Sequence, residues 1–237
     1  MKLSRADIVR GWTDLWLGDR GLSAFLVLVF LALFLGPIVD WPTVRLLTSL
    51  LLSLLMVAGV VSMSRRPTVR WFAGMIALCA IVLRWLTHIV ATSAIARWSS
   101  LISLIFMVLL TVGTLYKVYA DDRPVTAHRI MGAVAAYLLF GITWSILYGL
   151  LDQVLPGGAF SITGTTGGFD AERQEKLLFF SFVTLTTVGY GDITPTHDLT
   201  RMFAVVEALV GQLYPATLLA RLVSLEVSRR GSQPEKD

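Results

Sequence analysis

Long apolar runs separated by short polar breaks dominate the chain. Six of them, at 22–39, 44–63, 69–92, 98–119, 129–154 and 200–227, read as membrane-spanning helices, because about 20 apolar residues in helical geometry cross the hydrocarbon core. A seventh run, 173–185, is too short to span and leads directly into a stretch carrying Gly189 and Gly191. A short helix followed by irregular backbone at membrane depth predicts a re-entrant element, tolerated where that backbone is buried in protein or lines a water-filled path. Residues 156–168, rich in Gly, Thr and Ser, read as an exposed loop. Ahead of the first run, Ile8, Trp12, Leu15 and Trp16 recur at helical spacing, with Arg5, Asp7, Arg10 and Asp14 on other faces. That is the pattern of an amphipathic helix lying on the membrane surface. The predicted organisation is an interfacial helix over 1–20, four spans over 21–120, two spans enclosing the re-entrant element over 121–228, and a short tail over 229–237.

Composition sharpens this into an all-α integral membrane protein. With 55% of its 237 residues hydrophobic and 15% charged, the chain carries more apolar surface than one soluble core could hide. The net charge of +4 sits at the ends of the apolar runs, which speaks for membrane orientation and against a nucleic-acid partner. Lys2, Arg5, Arg10, Arg20, Arg65, Arg66, Arg70, Lys117, Arg123, Arg129, Arg229, Arg230 and Lys236 fall on one side, and Arg45, Arg97, Arg173, Lys176 and Arg201 on the other. Both termini are therefore expected in the cytoplasm and the re-entrant loop outside. Trp41, Trp98 and Trp71 fit interfacial belts. Cys79, the single cysteine, excludes an intrachain disulfide and reads as a small packed hydrophobe.

The candidate chemistry is the run Thr186-Thr187-Val188-Gly189-Tyr190-Gly191-Asp192. A cation that sheds its water needs replacement oxygens, and a row of backbone carbonyls aimed at one axis supplies them. An ordinary strand alternates its carbonyls; Gly189 and Gly191 relieve that constraint by accepting backbone angles closed to other residues. Val188 and Tyr190 then point away from the axis. One chain holds one such strand, and four close the ring.

In these residues, in the apolar helix before them and in the span after them, the chain resembles the potassium-channel pore family, over about its last 110 residues. The resemblance implies a homotetramer of three further identical subunits in contact with membrane lipids, with K⁺ as permeant ion and no other cofactor. The carbonyls of Thr187, Val188, Gly189 and Tyr190, and the Thr187 hydroxyl, would coordinate K⁺. Thr186, Gly191, Asp192 and Thr184 would support the filter, and the end of the short helix would aim partial negative charge at a central cavity. Gly211 falls at the family's hinge position and Pro215, four residues on, cannot donate back to it. A gating kink is expected there, with plain kinked packing as the alternative. Gln212 and Leu219 are candidates to face the cavity.

Two departures matter. Phe179 and Phe180 stand where the family often has tryptophan and offer packing alone, so the outer filter is expected to be held less tightly. Val183 stands where some members carry a carboxylate, whereas Glu207 lies inside the sixth span and needs a partner. Candidate partners are Thr184 or Ser181 behind the filter, or a neighbouring subunit; the alternative is an outward tilt towards water.

The four spans over 21–120 resemble a voltage-sensor domain without gating charges. The fourth span has Arg97 and Lys117 at its edges and nothing charged between, so steep voltage gating is not expected. Arg84 and His88 share a face of the third span, either as a polar site sensing pH or lipid, or as an arginine snorkelling to the surface. His197 is expected at the outer mouth, without a metal partner. The tail is too short for a soluble ligand domain. No spacing assembles a nucleophile or a metal cluster, so no enzyme is expected. The reading is a K⁺-selective channel of a bacterial-type inner membrane; a weakly selective cation channel and a non-conducting interaction subunit remain as alternatives.

Overall fold

The computed structural model describes residues 30, 41–63, 67–90, 92–120, 127–162 and 171–231. The expected interfacial helix over 1–20, the first span at 22–39 and the end of the tail lie outside them. The described chain is mostly helical: α1 (Trp41–Met63), α2 (Pro67–Ile89), α3 (Ser93–Ala120), α4 (Ala127–Val154), α5 (Ala171–Leu185) and α6 (Asp198–Gly231). Stretches long and apolar enough to cross a membrane occur in four of them: Thr68–Ile89, Ser93–Tyr119, Ile130–Val154 and Asp198–Arg221. The apolar stretch of α1, Ser49–Val60, is shorter. Against six expected spans, the described residues thus hold four candidates. α5 has 15 residues, well short of a span.

Local chemistry places several helix ends. Pro67 opens α2, where its missing N–H is not needed. Glu172 and Asp198 lie in the first turns of α5 and α6, favourable against the helix dipole. A two-stranded sheet was not expected: β1 (Phe160–Ile162) pairs antiparallel with β2 (Ile193–Pro195). Strands of three residues show no readable alternation.

Helices α1 to α5 share one packed interior. Leu55 and Met56 of α1, Ala77 and Ala80 of α2, Phe106, Met107 and Leu110 of α3, and Leu139 and Ile142 of α4 are buried together, with Leu178 and Phe182 of α5 against them. Lipid tails are as apolar as leucine, so close approach of backbones drives such packing. The buried Ala133, Ala135 and Ala136 on α4 allow it. Helices α1 to α3 therefore pack on α4 and α5 of the same chain. A second cluster sits at the other end of α4, where Tyr148, Phe160 and Phe180 meet edge to face at centroid distances of 5.1 to 5.3 Å, beneath the strand pair.

Polar residues inside the helices find partners across them. His88 Nε2 lies 3.0 Å from Ser49 Oγ, and Trp85 Nε1 donates to Ser53 Oγ at 3.3 Å. Arg84 is half-buried, and its Nε has no hydrogen-bond partner among the described residues. Cys79, expected to be packed, lies exposed instead, on a helix whose Phe72, Met75 and Leu78 are exposed as well.

Candidate functional site: the strand after the short helix

The strand starts where α5 stops. Thr187 N donates to Thr184 O at 2.9 Å, and Val188 N and Gly189 N both reach Val183 O, at 2.9 and 3.4 Å. Three consecutive N–H groups thus turn back onto the helix end and satisfy carbonyls that have no partner within the helix. Thr186 Oγ1 donates to Phe182 O at 2.6 Å. Thr187, Gly189 and Gly191 have φ of 60°, 61° and 80°, the left-handed region. Left-handed residues at every second position break the usual alternation of carbonyl directions. Glycine does this freely, whereas Thr187 does it under strain, which persists only where the surroundings enforce it.

Every residue from Thr186 to Asp192 is exposed on the single chain, Val188 by 53% and Tyr190 by 71%. Phe179 is stacked on the Tyr190 ring, with centroids 6.1 Å apart and planes 2° from parallel. The contact is one of ring packing, without a bond to the Tyr190 hydroxyl. Phe180 turns the other way, into the cluster with Tyr148 and Phe160. Gln212 and Leu219 are exposed on α6.

Behind the strand lies Glu207, fully buried. Tyr148 OH donates to its Oε2 at 2.6 Å, and Ser181 Oγ is 2.5 Å from its Oε1. Of the partners weighed from the sequence, the structure gives Ser181; the Thr184 carbonyl serves the Thr187 N–H instead. Tyr148 was missed, being 59 residues away in the chain.

Where the strand leaves α5, Gly211 meets Leu185. A Cβ built on Gly211 would stand 1.8 Å from Leu185 O and 2.7 Å from its carbonyl carbon. Tyr137 OH donates to the same carbonyl at 3.2 Å. α6 runs on through Pro215 to Gly231. Tyr214, one residue before the proline, stacks with Tyr137 at 5.9 Å and donates to Ala133 O at 2.9 Å. Further along α6, Arg221 Nη2 donates to Tyr119 O at 2.5 Å and sits over its ring at 5.0 Å, fastening the end of α3 to α6.

Beyond the far end of the strand, Asp152 of α4 and Arg173 of α5 form a buried ion pair in which Arg173 Nε contacts Asp152 Oδ2. Neither was singled out as functional from sequence. The available signal was the one that flagged Glu207, a carboxylate within a long apolar helix that needs a partner. His197 lies exposed nearby, its Nδ1 accepting from Leu199 N at 3.3 Å. No group of three metal-ligating side chains occurs among the described residues.

The family described as "Ion channel" matches residues 159–227, from just before β1 well into α6. A two pore potassium channel c of Oryza sativa subsp. japonica is 32% identical over 102 residues, 43% of this chain and 20% of the relative. Two-pore potassium channel 3 of Arabidopsis thaliana is 38% identical over 69 residues, 25% of this chain and 16% of the relative. Protein LctB of Bacillus caldotenax is 35% identical over 88 residues, 37% of this chain and 64% of the relative. The chain thus spans a fifth or less of these two plant proteins and just under two thirds of the bacterial one. Over residues 159–227 the chain is thus similar to an ion-channel family, and its relatives there include proteins named as potassium channels.

Proposed function

We propose that four copies of this chain form a K⁺-selective channel, with the strand from Thr187 to Tyr190 as selectivity filter. The observation that carries this reading is the backbone of that strand. Its first N–H groups are consumed by the end of α5 and its left-handed residues alternate, which frees a row of carbonyls to replace the hydration shell of an ion. The bare side chains of Val188 and Tyr190 support assembly with further copies, whose surfaces would cover them. Thr186, Gly191, Asp192 and Thr184 support the filter in this reading. In this reading Gln212 and Leu219 face the central cavity, and the stretch of α6 around Pro215, just past Gly211, is the gate. Charge on α3 is confined to Arg97 and Lys117 near its ends, which supports conduction without steep voltage dependence. The protein would sit in the cell's inner membrane with both termini cytoplasmic, and its function would be passive transport without catalysis.

The test is flux through purified protein in liposomes. K⁺ flux blocked by Ba²⁺, with Na⁺ flux at least about tenfold lower, is expected from a carbonyl-lined filter. Gly189→Ala is expected to abolish that preference, since a Cβ at φ 61° is strained whatever space surrounds it. Equal K⁺ and Na⁺ flux in the unaltered protein would favour a second reading, a weakly selective cation channel. The specific observation behind it is that Phe179 holds the Tyr190 ring by stacking alone.

A further inference from the structure

We propose that Asp152 and Arg173 are positioning residues for the outer end of the filter, such that loosening their contact changes ion selectivity while the fold stands. The inference rests on the channel reading and deepens it. The filter run ends at Asp192, and Ile193 opens β2 without a linker. β2 is held to β1 in the register Phe160↔Pro195, Ser161↔Thr194, Ile162↔Ile193. Thr196 N extends the pairing to Ala159 O at 3.0 Å, and Thr200 Oγ1 adds a contact to the same carbonyl at 3.3 Å.

The ion pair fixes β1 in turn. Asp152 Oδ1 accepts from Ala159 N at 2.7 Å. Arg173 Nη2 donates to Asp152 Oδ1 at 3.0 Å and to Phe160 O at 2.8 Å, while its Nε serves Asp152 Oδ2. One guanidinium therefore joins the last turn of α4, the first turn of α5 and the start of β1. α5 delivers the inner end of the filter, and β1 holds the strand that leaves its outer end. The cation sets the separation between the two ends of one strand.

A buried ion pair is a poor device for stability alone, because desolvation offsets most of the attraction. What it supplies is a fixed geometry. The planar fork of arginine holds a carboxylate bidentately and a carbonyl at fixed angles, a geometry that the rotating point charge of lysine does not impose. Selectivity depends on the number and placement of carbonyls, so slack at the outer exit reaches conduction directly.

The test uses Arg173→Lys and Asp152→Asn in the full chain, reconstituted in liposomes. Two quantities are read: the ratio of K⁺ to Na⁺ flux, and backbone hydrogen exchange over residues 186–196. Both variants are expected to assemble as the unaltered protein does. The flux ratio should fall roughly tenfold, a 1.4 kcal/mol change in discrimination, and exchange over 193–196 should speed up. An unchanged flux ratio in an assembled variant overturns the proposal. If Asp152→Asn does not assemble, Arg173→Lys, which keeps the charge, decides alone. If the unaltered protein passes neither ion, the channel reading has failed separately. Exchange then decides: unaltered rates over 186–196 in Arg173→Lys overturn the positioning role.

Discussion

Gly211→Ala is expected to remove most K⁺-dependent stability and to silence K⁺ flux, with helical content preserved. The new methyl would stand 1.8 Å from Leu185 O and 3.1 Å from Leu185 Cα, where an ordinary carbon–oxygen contact needs about 3.3 Å. The opposing atoms are backbone at the end of α5, so no side-chain rotation relieves the clash. Either α6 moves outward or the end of α5 moves, and the residue after Leu185 begins the run proposed as the filter. Leu185 O is also held by Tyr137 OH, so displacing it breaks a second contact. Overpacking of this kind costs about 1–3 kcal/mol, sometimes more, and a backbone obstacle belongs at the upper end. The measurement is the thermal midpoint of the purified oligomer in K⁺ and in Na⁺. A filter that binds K⁺ raises the midpoint in K⁺ by mass action, and the variant should lose that difference. The hinge reading of Gly211 predicts something else: a stiffened gate, low flux and an intact K⁺-dependent midpoint. Retention of the midpoint difference would therefore assign Gly211 to gating and not to packing.

How much of this was legible in the sequence follows from the range of each constraint. The strand over 187–191 was readable because its requirements are local. Glycine must stand where φ is positive, and Gly189 and Gly191 do. That Thr187 joins them was not readable, since its strain is imposed by neighbours. Phe179 and Phe180 were treated as one feature, yet successive helical residues point about 100° apart. They diverge accordingly, Phe179 to Tyr190 and Phe180 to Tyr148. Helical geometry alone excluded a shared role. Glu207 illustrates the other limit: a carboxylate in an apolar helix announces that it needs partners, but Ser181 and Tyr148 lie on two other helices. The same holds for His88, whose neighbour by spacing was Arg84 and whose contact is Ser49 on α1. Gly211 reads as flexibility in one dimension, and only the approach of α5 reveals it as a point of close packing.

Glu207→Ala is expected to destabilise the oligomer strongly, and Glu207→Gln hardly at all. The contrast comes from counting protons. Ser181 Oγ lies 2.8 Å from Gly141 O and 2.5 Å from Glu207 Oε1. A serine hydroxyl has one proton and cannot donate to both. Both contacts are made only if the carboxyl carries a proton of its own and gives it to Ser181, while Oε2 accepts from Tyr148 OH. Glutamine reproduces that arrangement, its NH₂ donating to Ser181 and its carbonyl accepting from Tyr148. Alanine leaves the Tyr148 hydroxyl without its partner in a site walled by protein, at about 1–3 kcal/mol, and adds a cavity penalty. Three helices lose their common joint, because Tyr148 belongs to α4, Ser181 to α5 and Glu207 to α6. Melting of the oligomer in K⁺ should rank the unaltered protein and the glutamine variant together, well above alanine. Pairing Tyr148→Phe with Glu207→Ala should give a coupling energy of at least about 0.5 kcal/mol, as for residues sharing one network. If glutamine proves as damaging as alanine, the carboxyl is ionised and takes the Ser181 proton itself. The carbonyl of Gly141 then gives up its bond from Ser181, and the joint between α4 and α5 rests on apolar packing such as Phe182 against Gly141.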